Sequence, residues 1–207
     1  MTPPRSGSDK SSREVRLAQL RQQQRRRARR RTLAWLIAGV VLAVVIGGTS
    51  WAVLASRPPK VSLGAVKTYP VSQPGHVTTT VKYPQTPPVG GDHDPTWLNC
   101  GVYTAPVRPE NAVHDLEHGA VWITYQPSLP TTQIKALRRL VGGQTYLTLS
   151  PYPGLPAPVV ASAWGVQLRL QNASDKRLQV FVTKYKQGPQ TPEPGAPCTG
   201  GIGSPTR

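Results

Sequence analysis

The residues best suited to chemistry form an H-x-x-E-H pattern that runs from His114 to His118. The pattern is that of the inverted zinc peptidases. On a helix, residues four apart lie one turn apart on the same face, so the two imidazoles can bind a single ion. Glu110 and Glu117 fall on that face as well, while Leu116 lies on the opposite side. The spacing therefore predicts a divalent metal site built on His114 and His118.

The remaining two histidines of the chain, His76 and His93, precede this segment. His93 lies in a Gly-Gly-Asp-His-Asp loop and is the expected third ligand. Glu117 or His76 is expected as a further ligand or as a hydrogen-bonding partner of one. Zn(II) and Cu(II) both accept imidazole and carboxylate ligands, so they are the predicted ions.

Two other functions are compatible with the same residues. The histidines can instead be hydrogen-bonded structural groups of a non-catalytic interaction module in the cell envelope. Alternatively, a metal-bound water with Glu117 as general base would make a hydrolase. Because three matching residues specify a peptidase only loosely, the sequence favours metal binding without catalysis. It indicates neither a substrate nor an oligomeric state.

Residues 66–195 predict a small α+β domain with helices packed on a mixed sheet. The 23 Pro and 19 Gly residues of the 207-residue chain exclude a coiled coil or a helical bundle. Pro109 suits the first position of a helix that ends at His118, and Gly119 suits the residue after it. Further elements are a strand at 76–81, strands at 120–125, 144–149 and 159–170, and helices at 131–141 and after Ser174 or Asp175.

The N-terminal part of the sequence predicts a membrane anchor. Residues 1–31 contain eleven Lys and Arg residues against two acidic ones, and residues 32–56 contain no charged residue. About 20 apolar residues span a bilayer, and basic flanks stay on the cytoplasmic side. We therefore expect a cytoplasmic tail, a single-pass transmembrane helix at 32–56 and an extracytoplasmic domain. An uncleaved anchor is favoured over a signal peptide cleaved after Ala55, because signal peptides have shorter apolar regions.

The net charge of +16 predicts binding to anionic surfaces. Since the basic tail adjoins the apolar segment, anionic lipid headgroups are its expected partner, and nucleic acid is not. The segment 57–65 is expected to be a linker. A protein of the envelope is the further partner that the interaction-module hypothesis requires.

Both cysteines of the chain, Cys100 and Cys198, follow the apolar segment. In an oxidising compartment such a pair most often forms one disulfide. A redox-active pair would more typically have the CxxC spacing. We therefore expect a structural disulfide that ties the C-terminal tail, residues 196–207, to the domain.

Three strings of the sequence, residues 87–93 (PPVGGDH), 97–103 (WLNCGVY) and 113–121 (VHDLEHGAV), resemble a bacterial family of domains of unknown function, number 3105. The later Ala163-Trp164-Gly165 fits the same pattern. The resemblance covers residues 66–195. It implies a basic tail, one membrane span and an outer domain, but no activity. Where that family usually has Ser, this chain has Asp115.

Overall fold

A computed structural model of the protein describes residues 21, 29, 35–36, 39–49, 51, 61–72 and 74–206. The chain divides into two units, Met1–Pro59 and Lys60–Arg207. Most of the predicted basic tail, part of the predicted span and residues 57–60 of the predicted linker lie outside the described residues. Within the first unit, residues 39–49 are helical. None of the helices that the structure describes is long and apolar enough to cross a membrane.

The second unit is built on one six-stranded mixed sheet, in the order β1-β6-β5-β3-β4-β2. Strand β4 pairs in parallel with β2 and β3, and the other pairs are antiparallel. The strands are β1 Lys67–Thr68, β2 Gly101–Val102, β3 Val121–Tyr125, β4 Leu147–Pro151, β5 Val159–Ala163 and β6 Val166–Leu170.

Three helices pack on this sheet: α1 Pro109–Glu117, α2 Thr131–Val141 and α3 Lys176–Tyr185. Helix α2 joins β3 to β4, as parallel strands require a crossover connection. The predicted α+β class and the mixed sheet are confirmed. The predicted helix at 131–141 has the expected bounds, and the run 159–170 is broken at Gly165 into the hairpin β5–β6.

The two faces of the sheet are covered by different helices. On one face, alternate strand residues such as Ile123 and Leu149 pack with Leu137 of α2 and Phe181 of α3. On the other face, the fully buried Trp122 packs with Ala112, Val113 and Leu116 of α1, and with Trp164. All five residues of β3 are buried, as expected for a strand that is covered on both faces. Helix α1 is therefore held against the sheet by its apolar side.

The segment 76–81, predicted as a strand, forms only an isolated bridge between His76 and His93. The N–H of Val81 donates instead to Glu110 Oε1, at 2.8 Å. Alternating β-branched residues are compatible with pairing but do not provide a partner strand. The short edge strands β1 and β2 have no such pattern in the sequence, because each contains two residues.

Of the two predicted caps, Ser174 and Asp175, it is Asp175 that caps the N-terminus of α3. Its Oδ1 accepts the backbone N–H of Arg177 at 2.9 Å, and the Arg177 side chain holds the pKa of Asp175 below its ordinary range. We expect Asp175→Ala to lower the free energy of unfolding at pH 7 by about 1 kcal/mol. A lowered pKa stabilises the fold above the unfolded-state pKa, and this contribution is lost as the pH falls through the folded-state pKa. Urea unfolding at neutral and strongly acidic pH measures both effects.

The control for this prediction is Asp175→Asn, which keeps an acceptor for the cap but has no charge. We expect it to lose less stability than Asp175→Ala at pH 7 and to lack the titration. Equal stability of Asp175→Ala and the parent at neutral pH would show that the cap contributes nothing.

Candidate metal centre

Helix α1 positions most of the predicted site. His114 and Glu117 lie on it, and His118 is its C-cap. All three side chains are buried, at 5%, 7% and 3% relative exposure, because the helix is covered on its polar side too. The chain leaves the helix through Gly119, whose φ of +94° favours glycine.

A loop brings His93 to the helix. Gly91, with φ of +108°, turns the chain so that its carbonyl lies 2.8 Å from Nδ1 of His93. Backbone pairing places His76 beside His93. The N–H of Val77 donates to the His93 carbonyl at 2.8 Å, and the N–H of His93 donates to the Gly75 carbonyl at 3.1 Å. The two histidines that are most distant from the helix in the sequence are thus brought to it together.

Arg108 and Asn111 attach this loop to the beginning of α1. The Arg108 side chain forms ion pairs with Asp94 and Glu110, and Nδ2 of Asn111 donates to the Thr96 carbonyl at 2.6 Å. The carboxylate of Glu110 also accepts the N–H of Val81. Glu110 shares the helix face with the histidines, but it serves as a structural acceptor at the start of the helix.

Four of the five predicted ligands form one group: His76, His93, His114 and Glu117. Each offers one ligand atom, and these atoms all lie within 4.8 Å of one another. Donor atoms around a tetrahedral ion lie roughly 3.4 Å apart, so no pair would have to close by more than roughly 1.4 Å. Three members are buried and His76 is exposed, which leaves the group accessible from one side.

His118, the fifth predicted ligand, lies outside this group of four. Its Nε2 lies 2.9 Å from Nε2 of His114, as expected for residues four apart on a helix. Oε2 of Glu193 also lies 3.7 Å from Nε2 of His118. The sequence motif therefore contributes its first histidine and its glutamate to the group, and its second histidine lies beside it.

The three buried histidines all use Nδ1 in the same way. Nδ1 of His93, His114 and His118 lies 2.8, 2.6 and 2.6 Å from the carbonyl oxygens of Gly91, Asp94 and Pro197, respectively. A carbonyl only accepts, so each Nδ1 donates its proton and a neutral ring keeps a lone pair on Nε2. This arrangement selects the tautomer in which Nε2 is available to a metal.

Two contacts in the site bring acceptors against each other. Nε2 of His93 is buried and lies 2.9 Å from Glu117 Oε2. Nε2 of His114 faces Nε2 of His118 at the same separation. With neutral rings both contacts are repulsive, and either a proton on one ring of each pair or a cation bound by the facing atoms removes the repulsion. The donor set therefore fits a metal ion.

The electrostatics keep His114 in the form that binds metals. Burial, reinforced by the neighbouring imidazoles of His118, His93 and His76, lowers the pKa of His114 to about 4, despite its hydrogen bond to the Asp94 carbonyl. His114 is therefore neutral near pH 7, and its Nε2 lone pair needs no deprotonation before it binds an ion.

Aromatic residues enclose one side of the site. The ring of Trp97 lies 5.9 Å from that of His114 and 5.6 Å from that of His118, centroid to centroid. Trp164 lies 6.1 Å from His93. The sequence indicates these tryptophans only as core or rim residues, because an aromatic residue carries no sequence signal for a contact with a distant histidine.

The predicted disulfide between Cys100 and Cys198 is present. Asp115 lies on the same side of α1 as this bond, fully buried, with Oδ1 accepting the Leu98 N–H at 3.0 Å and Oδ2 accepting from Thr148 at 3.3 Å. Burial raises the pKa of Asp115 well above its ordinary range. This carboxyl group holds the segment before β2 against the helix and is not part of the group of four.

Comparisons with known proteins place the chain in a family. No curated protein matches it, and no solved structure does. The family model described as "Protein of unknown function (DUF3105)" matches residues 76–200, which contain all four histidines, Glu117 and both cysteines. Because this match covers more than half of the sequence, the chain belongs to the DUF3105 family.

Proposed function

We propose that the α+β domain binds one divalent transition metal ion through His76, His93, His114 and Glu117. The observation that carries the proposal is the convergence of the four ligand atoms, all within 4.8 Å of one another, with Nε2 of His93 facing the Glu117 carboxylate at 2.9 Å. When the His93 ring is neutral, these two buried acceptors have no donor between them, which costs about 1–3 kcal/mol. Coordination of a cation by both atoms would convert this cost into a stabilising interaction.

The hypothesis of purely structural histidines requires charged rings in a buried site. It accounts for the three Nδ1 atoms, which donate to backbone carbonyls. It accounts for the Nε2 contacts of His93 with Glu117 and of His114 with His118 only when one ring of each pair is protonated. Structural histidines normally have both nitrogens satisfied, so a metal is the better explanation of the second nitrogen.

Three imidazole nitrogens and one carboxylate oxygen form a donor set of intermediate softness. Such a set suits Zn(II) in tetrahedral geometry and also Cu(II). The group contains no thiolate, since both cysteines are in the disulfide. We therefore propose Zn(II) or Cu(II) as the ion, with His118 and its partner Glu193 beside the ligands.

Metal binding without catalysis is the function that this geometry favours. A general base must be free to take a proton from a metal-bound water, but Glu117 lies among the four prospective ligands. The exposed His76 is the member whose displacement by water would open a coordination position. A hydrolase therefore requires Glu117 to remain unbound, so that three histidine ligands leave the fourth position to a water.

Metal content of the purified full-length protein tests the proposal. The protein is prepared in detergent without chelators or affinity metals, and we expect about one equivalent of a transition metal. The His93→Ala/His114→Ala variant is expected to contain almost none. A folded parent that stays metal-free after incubation with Zn(II) and with Cu(II) would overturn the proposal and favour an envelope interaction module with structural histidines.

We further propose that residues 32–56 anchor the domain in the cell membrane, with the basic tail in the cytoplasm and the domain outside. The support is the absence of charge in this segment and the exposure of its apolar side chains, such as Val40 at 65% and Val44 at 68%. The bilayer and its anionic headgroups would be the partners of this part of the chain. Protease digestion of intact spheroplasts is expected to remove the domain, and full protection would contradict this topology.

A further inference from the structure

Residues 193–198 lie against the end of α1 and are here called the C-terminal strap. The N–H of Glu193 donates to the Glu117 carbonyl at 3.1 Å. The Pro197 carbonyl accepts the Nδ1 proton of His118 at 2.6 Å. The strap therefore contacts the backbone of one prospective ligand and the side chain of the histidine beside another.

The strap contains no helix or strand, so its position depends on its anchors. Cys198 ends it and is bonded to Cys100, 98 residues earlier in the sequence. The Cys100 N–H also donates to the Cys198 carbonyl at 2.8 Å, and Tyr146 Oη donates to the Ala196 carbonyl at 3.0 Å. The chain after Cys198 is held too, since the Asn99 N–H donates to the Ile202 carbonyl at 2.8 Å. Among these anchors, the disulfide is the only covalent one.

The strap affects the orientation of His118. Its Pro197 carbonyl selects the tautomer in which Nε2 of His118 carries a lone pair, and that nitrogen lies 2.9 Å from Nε2 of His114. The Glu193 carboxylate lies 3.7 Å from the same nitrogen of His118. If the strap moves away, His118 loses its hydrogen-bond acceptor and its carboxylate neighbour, and His114 loses a fixed neighbour.

A small molecule can reach the disulfide. A cavity of about 590 Å³ is lined by both cysteines, together with residues of the loop after α2, such as Gly143 and Tyr146. Cys100 is partly buried, and Cys198 is buried at 6% relative exposure. The bond therefore lies at the wall of this cavity, with Cys100 as its more accessible side.

We infer that the Cys100–Cys198 disulfide controls the affinity of the metal site through the C-terminal strap, an inference that rests on the proposed function. A dithiol reductant would supply two electrons and two protons. The S–S bond would break, two thiols would form, and the reductant would become a disulfide. Held by hydrogen bonds alone, the strap would fix His118 and the end of α1 less firmly, so the reduced protein would bind the ion more weakly and release it faster.

The experiment measures Zn(II) affinity of the full-length protein by competition with a chromogenic chelator. The samples are the oxidised parent, the parent reduced with a phosphine and then desalted anaerobically, and the Cys100→Ser/Cys198→Ser variant. We expect reduction and the double substitution each to weaken binding at least tenfold, as loss of an outer-shell partner typically does. In addition, reductant added to Zn(II)-loaded parent should accelerate release, whereas the double variant should not respond.

The matched control is Asp175→Ala, which destabilises α3 without touching the strap. All affinities are measured well below the unfolding temperature, with folding verified by circular dichroism. Because the reduced Cys100 and Cys198 could bind Zn(II) with Asp115, the serine variant decides. Equal affinity of the oxidised parent and the Cys100→Ser/Cys198→Ser variant, or equal weakening by Asp175→Ala, would overturn the inference. Failure of the oxidised parent to bind Zn(II) would instead contradict the proposed function. If the double variant does not fold, the release rates of the loaded parent with and without reductant decide.

Discussion

His93→Ala is expected to lower the Zn(II) affinity of the protein at least 100-fold. The substitution removes a buried ligand nitrogen of the group of four, and loss of even an outer-shell partner costs 10- to 100-fold. The effect should also appear in stability. At a free zinc concentration about 1,000 times Kd, a bound ion stabilises the folded parent by about 4 kcal/mol. At the same zinc concentration, a variant with 100-fold weaker affinity would be stabilised by only about 1.4 kcal/mol. Its zinc-dependent shift in thermal unfolding, measured with and without the ion, should therefore be about one third of the parent's or less.

His118→Ala is the control that distinguishes a metal ligand from a buried histidine beside the ligands. His118, the C-cap of α1, is as deeply buried as His93 but lies outside the group of four. We expect a smaller loss of affinity, about tenfold, because His118 acts through its contact with His114. If both variants lose the same stability with and without zinc, the histidines are structural and the metal proposal is wrong.

Trp122→Ala is expected to lower the free energy of unfolding by about 3–5 kcal/mol, the typical cost of truncating a large buried side chain. Trp122 is fully buried, and it supports α1 through Val113 and Leu116. Its Nε1 also donates to Ser150 Oγ at 2.9 Å. Denaturant unfolding of the variant measures the loss. Zn(II) affinity should fall too, because the helix that carries His114 loses the surface on which it packs.

Two further variants serve as controls, one at the same position and one at an exposed apolar residue elsewhere. Trp122→Phe keeps a large apolar ring and removes the donor to Ser150, so we expect a loss smaller than that of alanine. Ile202→Ala changes a side chain that is 46% exposed and should cost less than about 0.5 kcal/mol. A loss below 1 kcal/mol for Trp122→Ala would show that α1 does not depend on this contact.

Short-range patterns were sufficient for much of the fold. The bounds of α2 follow from the apolar spacing of Ile134, Leu137 and Leu140 and from the two glycines after Val141. The start of α1 follows from Pro109, and that of α3 from the cap residue Asp175. These signals depend on residues within one or two turns, so a single sequence contains them.

Long-range pairings were not predictable in the same way. Val81, in the alternating run expected as a strand, satisfies its N–H with Glu110, 29 residues later. The edge strand β2 exists because Gly101 and Val102 meet β4 in parallel. No local pattern encodes a partner that lies about 50 residues away, so the sheet order required the folded chain.

The sequence by itself determined that His114, Glu117 and His118 share one side of a helix, because helical geometry is local. It also determined the pairing of the cysteines, since the chain contains two. Only the tertiary structure decided that His76 and His93 join His114 and Glu117 while His118 lies beside them. The reason is physical: the carbonyls of Gly91, Asp94 and Pro197 orient the three buried imidazoles, and any residue has a carbonyl. The residue types therefore do not indicate which carbonyls will accept these hydrogen bonds, because that depends on how the chain folds.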